Sequence, residues 1–349
     1  MSFYAMVLAG GSGTRFWPMS RRHLPKQFLP LVGDRTMVRQ TVERLSPLFD
    51  AERIYVVCGR EHKELTVGEL HLLPAENVID EPVGRDTAAA IGLFAAFLEW
   101  KEPGATFAAL PADQHIGDVD AFHAALRRAS EMAKDGALVT FGVKPTRPAT
   151  GFGYLEVAGD KVVRFCEKPD AAKATEFVAG GRHLWNSGIF VWQSASILRE
   201  IEKHLPATFA GLKRIQAALG TAGFPSVLAK EYAALPRISI DYGVMEKASD
   251  VRVVRAEFDW DDVGSWTAAA AHRVRDANGN VVEALSAAVD TRDCVIISSD
   301  DGHLIATLGL KDVVVVHTRD ATLVCPKDRA EEIKKLVDRI GAQGLEKLL

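Results

Sequence analysis

From residue 3 to about residue 143, short β-rich runs alternate with segments of helical periodicity, and this rhythm restricts the possible fold more than any other feature. The β-rich runs fall at 4–9, 53–58, 106–110 and 137–143. Strands separated by helices return by crossover connections rather than by hairpins, and crossovers make parallel neighbours. An α/β chain with a Rossmann-like, mixed but mostly parallel sheet is expected. Residues 36–49 read as an amphipathic helix. Residues 86–100 begin on Asp86, suited to capping, and are apolar on most faces, so that helix is expected to be buried.

After residue 146 the pattern loosens into strands at 161–166, 188–192 and 251–255, with helices near 194–204 and 209–218; it reads as a continuation of the same sheet. Beyond Asn278-Gly279-Asn280 the chain shifts to β-branched runs at 294–297, 304–307 and 313–316, which implies a small all-β module. Pro326 opens a final helix expected over 327–340, with an apolar seam and a solvated charged face. Two domains follow: residues 1–275, and residues 276–349 as the β module with its terminal helix.

With 349 residues, 48% of them hydrophobic, the chain can bury a large core. The net charge of −4 draws the surface toward neither nucleic acid nor an anionic membrane, so neither is expected as a partner. An anionic substrate would need a local cluster of cations. The longest apolar stretch, 88–98, is shorter than the ~18 residues of a membrane span. The first residues lack a basic region and run directly into a glycine turn, so a cytoplasmic location is expected. Cys58, Cys166, Cys294 and Cys325 are widely spaced without metal-ligand pairing and read as reduced, structural thiols.

The strongest local segment is Gly10-Gly11-Ser12-Gly13-Thr14-Arg15-Phe16-Trp17-Pro18, placed where the first strand ends. Three glycines in four residues let backbone N–H groups approach an anion closely, although a tight β-to-α turn would use the same residues. Arg15, Arg21, Arg22 and Lys26 follow within a dozen residues, and a triphosphate would match that charge. The spacing is not that of the P-loop, which needs Gly-x4-Gly-Lys-Ser/Thr. Nor is it the dinucleotide fingerprint, whose third glycine is here Phe16 and whose second strand ends in Cys58-Gly59-Arg60 without an acidic residue for the ribose.

Together with Pro25-Lys26-Gln27-Phe28-Leu29, this opening resembles that of the sugar-1-phosphate nucleotidylyltransferases, and its Phe-Trp-Pro form resembles the mannose-1-phosphate guanylyltransferases among them. The likeness continues through Glu81-Pro82-Val83-Gly84-Arg85-Asp86-Thr87, Pro111-Ala112-Asp113, Phe165-Cys166-Glu167-Lys168-Pro169 and Trp185-Asn186-Ser187-Gly188. It extends to the segment from Ser239 to Lys247 and to Trp260-Asp261-Asp262-Val263-Gly264-Ser265-Trp266. Asp86 and Ala89 depart from the family pattern, where asparagine and proline are common.

The resemblance implies a GT-A-like nucleotidyltransferase fold followed by a short left-handed β-helix that contributes to a homodimer. It implies attack of mannose 1-phosphate on the α-phosphorus of GTP, giving GDP-mannose and pyrophosphate. Gly10, Gly11, Ser12, Gly13 and Thr14 would cradle the triphosphate, with Arg15 and Lys26 neutralising it and Lys168 gripping the sugar phosphate. Mg2+ would lie between Asp113 and Asp262, expected on one side of a cleft. Glu81 would read guanine, whose ring N–H and exocyclic amine one carboxylate can accept together, with Arg85 and Thr87 also on the nucleotide. Gly153, Glu167 and Asn186 would hold the sugar.

Blander readings stand beside several of these. Asp113 would serve as a helix cap, Glu81 as a loop carboxylate before a turn, and Asn186-Ser187-Gly188 as an ordinary turn. Trp185 and Trp192 would be core anchors, and Asp261 solvated. Asp241 and Tyr242 fall at a helix start. His115 is given no chemistry, because a phosphate monoester nucleophile is already ionised near neutral pH. Two rival functions remain: a relative using UTP, dTTP or ATP, and a regulatory binding module without catalysis, against which the presence of both Asp113 and Asp262 argues. A single activity is expected, since the chain ends soon after the β module.

Overall fold

A computed structural model describes residues 2–11 and 13–349; Ser12 of the glycine segment therefore lies outside the described residues. In chain order the strands are β1 (Phe3–Ala9), β2 (Ile54–Gly59), β3 (Val78–Glu81), β4 (Thr106–Pro111), β5 (His115–Ile116), β6 (Leu138–Val143), β7 (Tyr154–Ala158), β8 (Lys161–Cys166), β9 (His183–Gln193), β10 (Val251–Arg255) and β11 (Trp260–Asp261). They are followed by β12 (Val281–Glu283), β13 (Ser286–Val289), β14 (Val295–Ser298), β15 (Ile305–Leu308), β16 (Val313–Thr318) and β17 (Ala321–Pro326). The chain forms two compact units that interleave in sequence: Met1–Gly10, Val42–Ala112 and Ile116–Trp260 make the first, and Gly11–Thr41, Asp113–His115 and Asp261–Leu349 the second.

The first unit is built on a nine-stranded sheet of order β3-β2-β1-β4-β9-β6-β10-β8-β7. β1 runs parallel to β2 and β4, β2 to β3, and β6 to β10. Only β9 and β8 oppose the rest, β9 pairing with β4 and β6, and β8 with β10 and β7. The expected strand at 188–192 is the second half of the eleven-residue β9. Asn186-Ser187-Gly188 is thus no turn. The β6–β9 register shifts between Thr140 and Gly142, and Gly188, at φ 74°, takes up the irregularity, so a glycine that reads as a turn marks a bulge.

The helix Thr87–Lys101 is buried on nearly every face and capped by Asp86, whose side chain accepts from the Thr87 N–H. Trp192, Tyr154, Phe94, Phe107 and Tyr232 fill the core of this unit, and Trp185 is also buried. Expectation missed the strands Val78–Glu81 and Tyr154–Ala158 and the helices Val119–Ala133, Ala171–Gly180 and Phe224–Ala233. Asp118, not Asp113, caps the helix Val119–Ala133. Among the described residues no helix is long and apolar enough to cross a membrane, and all four cysteines are unbridged.

In the second unit β12, β14 and β16 stack in parallel, with β17 antiparallel to β16, while the intervening β13 and β15 form their own parallel pair. Strands that alternate between two stacks are successive turns of a coil. Phe16, Trp17, Trp266, Val295, Ile297, Val314, Val316 and the seam Ile333, Val337 and Ile340 share one core. The terminal helix departs from expectation: Lys327–Glu332 is 3-10, and the α-helix is Ile333–Ala342. The Lys327 N–H bonds the Asp312 carbonyl, and Arg329, Glu332 and Lys335 pair at three-residue spacing, which suits the tighter coil.

Arg21 is also placed differently from its expected role among the phosphate cations. It is 8% exposed and pairs with Asp320 at 2.7 Å, while also donating to Thr318 Oγ1 and the Leu348 carbonyl. Its guanidinium lies 5.6 Å from the centre of the Trp17 ring. Burial lowers its pKa, and Asp320 opposes that. Arg21 is a structural pin of the second unit. Arg21→Ala is expected to reduce unfolding free energy by about 2 kcal/mol, the half-exposed Asp320 keeping the loss below that of a fully buried pair. Chemical denaturation checks this, and a loss under about 0.5 kcal/mol, the usual size for a surface change, would remove the pin.

Candidate functional site

Within the second unit, the short helices Thr14–Phe16 and Lys26–Phe28 bring the glycine segment against Lys26. Gly13, in the left-handed region at φ 56°, has no room for a side chain: a Cβ there would overlap Lys26 Cβ and lie 2.8 Å from its backbone nitrogen. Lys26 is only 6% exposed. Its ammonium donates to Asp113 Oδ2 and to the Asp262 carbonyl, both at 2.8 Å. The structure therefore brings Lys26, Asp113 and Asp262 together.

Asp262 is delivered by a strained turn. Val263 sits at φ 47°, a region β-branched residues avoid at a cost of about 1–3 kcal/mol. Asp261 holds this turn rather than being solvated: Oδ1 accepts from the Val263 N–H at 2.7 Å and Oδ2 lies 2.9 Å from His272 Nε2. The His272 ring packs on His115 at 4.3 Å, which gives His115 its structural place. Burial raises the Asp262 pKa, with Lys26 and Arg15 acting against it and the Asp113 charge adding to it. Two carboxylates that feel one another, one of them desolvated, are a donor set that a divalent cation would relieve. Among the described residues no group of three or more His, Cys, Asp or Glu forms a closed cage. A hard cation completed by substrate phosphates fits such a pair. Arg15, Gly10 and Gly11 are exposed, and Thr14 is half-buried.

In the first unit two further groupings occur. Glu81 closes β3, and burial pushes its carboxyl up to about 7, with a hydrogen bond from Tyr232 opposing and Asp86 and Glu61 adding to the shift. Arg85 donates to the Ala233 carbonyl, and Thr87 Oγ1 accepts from the Ile240 N–H at 2.8 Å. Both therefore hold their own loop.

The second grouping unites Gly153, Glu167, Lys168 and Asn186. The Gly153 carbonyl accepts from the Asn186 N–H at 2.8 Å, and a Cβ on Gly153 would lie 2.5 Å from Glu167 Oε2. Lys168, at φ 46°, pairs with Glu167 at 2.8 Å. Burial pulls its pKa down, but Glu167 and Asp241 more than offset this and leave it raised. The Asn186 amide is largely committed, its Oδ1 accepting from Thr140 at 2.8 Å and its Nδ2 donating to Asp241 at 3.0 Å. Asp241 itself is pushed up to about 7 by burial and then by Glu167.

Sequence reasoning leaves Asp241 at a helix start without a site role, and it misses Glu246, whose carboxylate accepts from the Glu167 N–H at 2.9 Å, and Tyr232. Asp241 and Glu246 both lie in the segment from Ser239 to Lys247 that carries the family likeness. Tyr232 stands outside every motif. Gly13→Ala is expected to reduce stability by about 2 kcal/mol, through both the left-handed backbone and the collision with Lys26; denaturant titration reads it, and a neutral result would mean the loop does not rest on Lys26.

The profile of the nucleotidyl transferase family matches residues 4–278, and that of the mannose-phosphate isomerase/GMP-like β-helix domain matches residues 280–340. The chain is 38% identical to the alginate biosynthesis protein AlgA of Pseudomonas aeruginosa, over 97% of this chain and 72% of that protein. It is 37% identical to a mannose-1-phosphate guanylyltransferase of Escherichia coli (strain K12), over 98% and 74%. A crystal structure described as a mannose-1-phosphate geranyltransferase from Thermus thermophilus superposes with a TM-score of 0.87 at 39% identity, covering 98% of this chain and 100% of that one.

Proposed function

Because the chain belongs to the nucleotidyl transferase family and carries a GMP-like β-helix module, we propose that it transfers GMP from GTP to mannose 1-phosphate, forming GDP-mannose and pyrophosphate. The observation that carries the reading is the buried Lys26 ammonium bonded to Asp113 and to the Asp262 carbonyl beside the glycine segment, an arrangement suited to a triphosphate and its cation. A phosphate oxygen of mannose 1-phosphate attacks the α-phosphorus; that P–O bond forms as the α–β phosphoanhydride bond breaks. Arg15 and Lys26 offset the charge gathering on the leaving pyrophosphate. Gly10, Gly11, Ser12, Gly13 and Thr14 supply backbone donors. Asp113 and Asp262 would hold Mg2+, which when bound polarises phosphate oxygens as a Lewis acid. No general base is required, since the attacking monoester is ionised.

Lys168 holds the sugar phosphate, while Glu167, the Gly153 backbone and the one remaining Asn186 N–H serve the hydroxyls. Glu81 reads guanine, with Arg85 and Thr87 keeping its loop in place. We further propose that the sheet is Rossmann-like and GT-A-like, that the coil is left-handed, and that the domain boundary lies at residues 275/276. A cytoplasmic homodimer completes it: Leu285, Val289, Leu304 and Leu308, the last 73% exposed, leave apolar surface on β13, β15 and their approaches for a second copy.

Pyrophosphate release measured for GTP, UTP, dTTP and ATP against mannose, glucose and fucose 1-phosphates tests this function, and GTP ranking among the poorer substrates would overturn it. Asp262→Asn is expected to reduce magnesium-dependent kcat by about 10²–10³-fold while the fold persists by circular dichroism; near-normal turnover would mean another carboxylate holds the metal. Lys168→Ala should raise KM for mannose 1-phosphate by about tenfold, the loss of roughly one charge-assisted hydrogen bond. An effect confined to GTP would reassign the lysine.

A further inference from the structure

Tyr232 belongs to no motif, yet it is fully buried, and its hydroxyl meets the carboxylate of Glu81. It lies in the last turn of the helix Phe224–Ala233 and donates that hydroxyl to Glu81 Oε1. The same helix end accepts from Arg85 through the Ala233 carbonyl. Beyond it, the Ile238 carbonyl accepts from the Ala88 N–H at 3.2 Å, and the Ile240 N–H donates to Thr87 Oγ1. The segment from Glu81 to Ala88 is therefore docked at four points on residues 232–240.

We infer that Tyr232 is the positioning residue for base recognition: its hydroxyl fixes the Glu81 carboxylate in one orientation and leaves Oε2 and the free lone pair of Oε1 for the two N–H donors of guanine. This rests on the reading of Glu81 proposed above. An ionised carboxylate offers about four acceptor sites, and Tyr232 uses one, so the remaining three suffice for the two donors of the base edge without competition. The phenol has a second effect. Burial favours the neutral acid, and the nearby Asp86 and Glu61 charges favour it further; within the loop and the connection after β2, the hydrogen bond from Tyr232 opposes them. A protonated Glu81 would present a donor where guanine also presents donors. Arg85 faces the same phenol and lowers its pKa, against burial and Glu81, which keep it high and protonated.

The test is the pH profile of kcat/KM for GTP in three proteins. The wild type is expected to lose kcat/KM as pH falls through about 7, where Glu81 takes up a proton. Tyr232→Phe removes the donor without altering the ring. It should move this acid limb up by about one pH unit and raise KM for GTP at pH 7 by about tenfold, leaving kcat and KM for mannose 1-phosphate within about twofold. Glu81→Gln should abolish the limb and erode the preference for GTP over ATP. If Glu81→Gln changes neither, the base-reading role falls and Tyr232's with it. If Glu81→Gln acts as expected but Tyr232→Phe shifts neither the limb nor KM for GTP, only the positioning role is overturned. Should the phenylalanine variant misfold, 3-fluorotyrosine at position 232, a stronger hydrogen-bond donor, should move the limb to lower pH; no movement would count against the proposal.

Discussion

A lysine ammonium withdrawn almost entirely from water is the constraint on which the second unit depends. An unpaired buried charge is intolerable by several kcal/mol, so Lys26 must be met by oxygen from more than one side. Asp113 supplies a carboxylate and Asp262 a carbonyl, from segments about 90 and 240 residues along the chain. The three-residue piece Asp113–His115 accordingly belongs with the glycine segment and the C-terminal module in the second unit. The placement of Lys26 also explains Gly13, since the backbone of Lys26 occupies the place of the missing side chain.

The carboxylates divide by their company. In the second unit Asp113 is held by a lysine, and Asp262, though also raised by burial, has the charges of Lys26 and Arg15 acting against that rise. In the first unit Glu81 and Asp241 are both pushed up to about 7, chiefly by burial. The division matches two kinds of ligand group. Cation-flanked carboxylates suit phosphates and a metal, where fixed charge must be balanced. Carboxylates poised near neutrality suit the N–H and O–H donors of a base or a sugar, which require an acceptor but bring no charge to stabilise it.

Much of the fold was legible because the strands Phe3–Ala9, Ile54–Gly59, Thr106–Pro111 and Leu138–Val143 are apolar runs bounded by turn residues. Val78–Glu81 was not, because it is short and half acidic. Phe224–Ala233 escaped for a different reason: only Leu228 and Tyr232 are buried along it, too few to print a helical period. At the site, motif spacing led to Lys26, Asp113, Asp262, Glu167 and Asn186, and the first three do meet on one ammonium. Charge counting failed at Arg21, since one-dimensional clustering cannot tell a cation facing a ligand from one buried against Asp320. Asp261 and Tyr232 were obscure because their roles are to hold other residues, and such roles leave no pattern in sequence.

Backbone strain separates the same classes. Among the described residues, six that are not glycine have positive φ: Asp86, Lys168, Val263, Asp290, Asp293 and Asp312. The last three lie in connections of the β module, and aspartate tolerates the left-handed region because its short side chain bonds the local backbone. Their conformation needs no function. Asp86 caps the helix behind Glu81. Lys168 and Val263 have no such relief, one being long and the other β-branched, yet each immediately neighbours a site carboxylate: Lys168 follows Glu167 and Val263 follows Asp262. A strained residue persists only where its surroundings over-determine it. At Val263 those surroundings are the Asp261 bond to its N–H and full burial of its side chain. The strain is thus held in the turn that aims Asp262, and it is sustained by Asp261, the neighbour whose own carboxylate is turned away to His272.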